Sequence, residues 1–137
     1  MHHLHFNHLA LLVSAILQWL IGGLWYSLLF KKSWMALTGY VRPENGERPK
    51  GAVFGMTISF VVSLILSLIL AHVVIWSGSD TIASGIFVGF ICWLGFIAGP
   101  LLAQGIYEQR PVKLWAINAG YWLVALLVSG GLLAVWR

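Results

Sequence analysis

The chain has 137 residues, 60% hydrophobic and 9% charged, with a formal net charge of +4 and a mean hydropathy of +0.89. Soluble domains carry about a quarter charged residues, so this composition excludes an ordinary water-soluble fold. The charges fall almost wholly in two short segments, Lys31 to Lys50 and Glu108 to Lys113, which leaves no basic face large enough to track a nucleic acid and favours anionic lipid headgroups as partners.

Four stretches lack Asp, Glu, Lys and Arg entirely: Leu9 to Phe30, Ala52 to Trp76, Thr81 to Tyr107 and Leu114 to Trp136. A helix needs about 20 predominantly apolar residues to cross the hydrocarbon, and each stretch exceeds that. Uninterrupted, Leu-rich runs do not alternate as barrel strands do. The sequence therefore predicts an all-α polytopic integral membrane protein, a four-transmembrane-helix bundle. It forms a single domain over 1–137, with helices at about 9–30, 52–76, 81–107 and 114–136 and cytoplasmic loops at 31–51 and 108–113.

The amino-terminal head, with His2, His3, His5 and His8 broken by Leu, Phe and Asn, does not read as a purification tag. The first apolar run has no Lys or Arg before it and ends in Trp25-Tyr26, which argues for a retained span over a cleaved signal peptide. Loop one follows, with Lys31-Lys32-Ser33-Trp34-Met35-Ala36-Leu37 suited to a short interfacial helix stopped by Gly39. Pro43-Glu44-Asn45-Gly46 then reads as a turn. Lys and Arg number seven in loops one and three against one, Arg137, elsewhere. That bias places both loops in the cytoplasm of a bacterial inner membrane and both termini outside.

In the second span Gly51, Gly55, Ser59, Ser63, Ser67 and Ala71 recur every four residues, an oblique row that admits a close helix crossing. The third span carries a matching row, Gly85, Gly89, Cys92, Gly95, Gly99 and Ala103. These rows predict that the second and third spans pack on each other, within one chain or across a homo-oligomeric seam. Pro100, behind Gly99, removes a backbone donor and predicts a kink; such a break fits a bend to neighbouring helices or marks a transporter site. Cys92 is the single cysteine, so no intrachain disulfide forms.

With no charged group at membrane depth, intramembrane chemistry must come from neutral polar residues. Tyr26, Gln104, Asn118 and Tyr121 gather by depth into a polar cluster, in which Asn118 needs a partner such as Gln104 or Tyr26. A register-fixing clamp and a polar solute pocket are the two readings. At the opposite end His8 and His72 reach comparable depth, where paired imidazoles could ligate haem, zinc or copper; an interfacial histidine satisfied by backbone is the simpler reading, and no cofactor is expected. Trp25, Trp34 and Trp115 suit one interfacial belt and Trp76 and Trp136 the other, with Trp19, Trp93 and Trp122 deeper. Catalytic signatures are missing, so no enzyme is expected.

Gly22-Gly23-Leu24-Trp25-Tyr26-Ser27, followed by Phe30, Trp34 and Leu37-Thr38-Gly39, opens a pattern along the chain. Ile106-Tyr107-Glu108, Arg110-Pro111, Lys113-Leu114, Ile117-Asn118-Ala119-Gly120-Tyr121 and Trp136-Arg137 continue it. In this order and spacing the chain resembles the small bacterial membrane proteins grouped as domain of unknown function family 1761. The resemblance implies a compact four-helix bacterial membrane protein and draws attention to Trp25, Tyr26, Trp34, Asn118 and Tyr121. It implies no activity, and the histidine-rich head is not part of the pattern. Three functional classes follow: a non-catalytic homo-oligomeric bundle or accessory subunit, which leads; a small-solute channel or transporter passing Gln18, Asn118 and Gln104; and a haem or metal protein using His8 and His72.

Overall fold

The computed structural model describes residues 6–40 and 51–136. These form six α-helices and two π turns, with no strand among the described residues: α1 (His8–Leu24), α2 (Lys31–Thr38), α3 (Ala52–Trp76), α4 (Ile82–Trp93), α5 (Gly99–Tyr107) and α6 (Val112–Val135). A π turn at Trp25–Leu29 extends α1, and another at Leu94–Ala98 joins α4 to α5. Four continuous helical spans result, His8–Leu29, Ala52–Trp76, Ile82–Tyr107 and Val112–Val135, each long and apolar enough to cross a bilayer. The predicted turn at Pro43-Glu44-Asn45-Gly46, the residues His2, His3 and His5, and the cations Arg42, Arg48, Lys50 and Arg137 lie outside the described residues.

Local chemistry sets the boundaries. The Asn7 side chain accepts from the backbone N–H groups of Leu9 at 3.0 Å and Ala10 at 3.2 Å, so the first span starts one residue before the apolar run. Thr81 and Ser84 form a reciprocal capping box ahead of α4, so the third span begins at Ile82. Extended Pro111 precedes α6, which therefore includes Val112 and Lys113 and shortens the predicted loop three. α2 stops where Gly39 takes a left-handed conformation, φ 73°, as the sequence predicts.

The fourth span is the centre of the bundle. Half of its apolar window is buried, against 11% for the third span, and the other spans wrap around it. The intrachain pairing of the second and third spans expected from their small-residue rows is not what forms: those spans meet only marginally. Gly85 and Gly89 of α4 instead face Gly130 and Leu126 of α6. A Cβ on Gly85 or Gly130 would overlap the other's backbone carbonyl, and one on Gly89 would overlap the carbonyl of Leu126. Glycine on both sides brings the two backbones into contact, a closer approach than the serines of α3 permit, so dispersion and Cα–H···O contacts favour this partner. Ser63 and Ser67 are buried, and α3 lies against α1 and α6. Gly55 and Ser59 in the second span, and Gly95 and Gly99 in the third, belong to the same rows but stay exposed.

The break expected at Pro100 takes the form of the π turn just before it, where the Gly99 N–H reaches the carbonyl of Leu94 five residues back. One extra residue in the turn relieves the crowding that the proline ring would otherwise impose on the preceding turn.

Candidate functional site

Two polar constellations lie inside the spans. The first is a knot joining three helices. Gln18, on α1, places its amide Nε2 2.9 Å from Ser67 Oγ of α3 and 2.9 Å from Ser129 Oγ of α6, with Ser14 Oγ at 3.4 Å. Ser14 and Ser67 exchange a further hydrogen bond at 2.9 Å. Ser14 and Gln18 are four residues apart and so share one face of α1. All four side chains have zero exposure. Gln18 Oε1 is the one fully buried side-chain oxygen or nitrogen without a partner among the described residues. The knot thus ties the first, second and fourth spans together while leaving one carbonyl oxygen unsatisfied.

The second constellation clamps α6 where the spans approach the lysine- and arginine-bearing connections, the basic end. Tyr26 OH donates to Asn118 Oδ1 at 2.8 Å, and Tyr121 OH donates to the backbone carbonyl of Gln18 at 2.9 Å. The Tyr26 and Tyr121 rings meet edge to face, 5.7 Å apart. Three indoles donate to backbone carbonyls: Trp25 to Ile117 at 2.9 Å, Trp93 to Ala119 at 2.8 Å and Trp115 to Ala98 at 3.0 Å. Two glycines make room. A Cβ on Gly120 would lie 3.1 Å from the Trp25 ring, and one on Gly22 would lie 3.1 Å from Tyr121.

The expected cluster is therefore three-quarters assembled: Tyr26, Asn118 and Tyr121 come together, while Gln104 does not join them. Its amide donates instead to Glu108 Oε1 at 3.0 Å, one turn further along the same helix end. Glu108 also faces Arg110 across 3.7 Å, an ion pair half exposed on both sides and worth little. Gln104 and Asn118 still share the wall of a cavity of about 260 Å³ between the third and fourth spans, together with Trp34, Thr38 and Trp115.

At the other end, His72 Nδ1 lies 2.8 Å from the carbonyl of Leu68, which can only accept, so Nδ1 carries the proton. Phe6 lies tilted against the His72 ring at 4.3 Å and Trp76 lies at 5.5 Å. His8 is exposed on the first turn of α1. Among the described residues no three His, Cys, Asp or Glu side chains gather into a metal-holding group.

Sequence reasoning placed Gln18 only on a hypothetical solute route, and it missed Ser14 and Ser129. The four-residue spacing of Ser14 and Gln18, and the position of Ser129 beside Gly130-Gly131, were the signals that could have found them.

Four apolar spans, three of them packed around the fourth and braced by neutral polar groups, define a multi-pass helical membrane protein. The family described as "Protein of unknown function (DUF1761)" matches residues 9–134, 126 of the 137, and the chain belongs to it. No curated protein and no solved structure matches the chain.

Proposed function

We propose that this protein is a non-catalytic helix bundle of a bacterial cytoplasmic membrane, a self-associating structural or accessory subunit with both termini outside. The observation that carries this reading is the sealed knot. Gln18, the fully buried amide side chain among the described residues of the spans, donates to serines of two other spans and is shut off from both surfaces and from lipid. A neutral solute route would need such groups along a wet path, whereas here they tie helices together. The clamp at Tyr26, Asn118 and Tyr121 supports the same role, since its donors likewise end on neighbouring helices. Self-association has a natural seam on the exposed side of the third span, where a Cβ on Gly95 meets nothing within 4 Å and one on Gly99 only the Leu94 carbonyl, 3.5 Å away.

The test is reconstitution into liposomes with proton and glycerol flux measured beside empty vesicles. The proposal expects no flux above background for the parent chain, Asn118→Leu or Gln18→Leu. Parental flux abolished by either substitution would replace this reading with a channel. Particle mass in detergent addresses the seam: Gly95→Leu with Gly99→Leu should yield monomers, and an unaltered mass would remove that interface.

A further inference from the structure

The first and second spans are tied along only part of their length. Ser14, Gln18 and Ser67 hold them together, and the Trp19 indole N–H reaches the carbonyl of Met56 at 3.2 Å. Beyond Trp19, toward the basic end, the helices separate. Gly55 has nothing within 4 Å of a built Cβ, and Ser59 turns its hydroxyl back onto the Gly55 carbonyl at 2.8 Å. The gap is a cleft of about 980 Å³, backed by Tyr121 and lined by apolar groups such as Leu20, Leu24 and Met56.

Its length and charge both point to one kind of occupant. From Trp19 at the closed end to Leu29, where the first span ends just before Lys31, 10 residues of helix measure about 15 Å, matching the roughly 15 Å of one hydrocarbon leaflet. The cleft is thus mostly apolar over about one leaflet's depth, and its charged lining residue, Lys31, stands at its mouth. Among its described lining residues Lys31 is the only charged one, and it has no ion-pair partner among the described residues. Ser27, one turn away, also lines the cleft and makes no hydrogen bond there, so it is a second free donor.

We propose that this cleft binds an anionic phospholipid, one acyl chain lying between α1 and α3 and the headgroup phosphate resting on Lys31 and Ser27. The cavity between Gln104 and Asn118 is a weaker candidate, because its charged residues, Glu108 and Arg110, already face each other. The lipid site does not depend on self-association: its lining comes from the first, second and fourth spans and α2, whereas the proposed seam lies on the third.

Native mass spectrometry of delipidated protein, titrated with phosphatidylglycerol or phosphatidylcholine of identical chains, tests the site. Phosphatidylglycerol should bind more tightly. Lys31→Gln should lower its apparent affinity about fivefold and erase most of the headgroup preference. Lys32→Gln is the control, since Lys32 is exposed and not in the lining. Gly55→Leu with Ser59→Leu should reduce retention of both lipids by filling the cleft. Excess inorganic phosphate should not displace the lipid. Equal binding of the two lipids, identical behaviour of Lys31→Gln and Lys32→Gln, or displacement by phosphate alone would overturn the proposal. If the leucine variant fails to fold, as its circular dichroism would show, the comparison of Lys31→Gln with Lys32→Gln decides.

Discussion

Replacing Gln18 by Leu separates a brace that stabilises from one that specifies. The change removes two good hydrogen bonds, to Ser67 and Ser129 at 2.9 Å each, and a marginal one to Ser14 at 3.4 Å. Measured couplings between transmembrane helices average about 0.6 kcal/mol per bond, so the loss is about 1.2 kcal/mol. The same change removes the unpartnered Oε1, whose burial costs about 1–3 kcal/mol. The orphaned serines retain alternatives: Ser67 keeps Ser14 at 2.9 Å, and Ser129 can turn onto its own helix backbone. The net expectation is a variant between unchanged and about 2 kcal/mol more stable. Gln18→Ala, which leaves a void, should instead cost about 2–3 kcal/mol. Unfolding by sodium dodecyl sulfate in mixed micelles, followed by far-ultraviolet circular dichroism, reads both. A loss above about 2 kcal/mol for Gln18→Leu would refute the reasoning and mean that Oε1 has a partner, for example an internal water.

Gly85→Leu should cost more than about 3 kcal/mol in the same assay, because the added side chain meets the Gly130 backbone, which cannot rotate away. Gly23→Ala should be neutral or slightly stabilising, since nothing lies within 4 Å and alanine favours helix; a loss there would contradict the assigned register. A double-mutant cycle of Tyr26→Phe and Asn118→Leu should give a coupling of about 0.6–1.7 kcal/mol, and additivity would remove that hydrogen bond. Purified protein should show no Soret band and no stoichiometric zinc or copper. Either signal, if lost in His8→Ala or His72→Ala, would establish the histidine site.

The number and position of the spans were legible because lipid admits so few backbone arrangements that charge-free length alone nearly decides them. Partner choice was not. The rows at Gly55 to Ala71 and Gly85 to Ala103 mark where backbones can approach, but a row of small residues does not name what approaches it. The decisive partners, Gly130 and Leu126, lie in a span whose glycines form no such row. The knot was obscured by the ambiguity of serine in a membrane helix. Thr57, Ser59 and Ser63 satisfy themselves on the carbonyl four residues back, at 2.9, 2.8 and 3.0 Å, whereas Ser14, Ser67 and Ser129 reach across to other helices. Composition cannot distinguish the two. Asn118 was more readable, since burying its larger amide demands a partner and Tyr26 was among the few at its depth. The π turn at Trp25–Leu29 had no signal comparable to Pro100.

The fourth span is the hub of the bundle, and the second span is tied to the first and not to the third. Cysteine pairs introduced into a Cys92→Ala background and oxidised in native membranes measure this directly. Ser14→Cys with Ser67→Cys, replacing hydroxyls 2.9 Å apart, should close an intrachain disulfide and shift the monomer band. Ser59→Cys with Gly95→Cys should not. Cross-linking of the latter pair within one chain, with none at the former, would contradict the arrangement of the bundle.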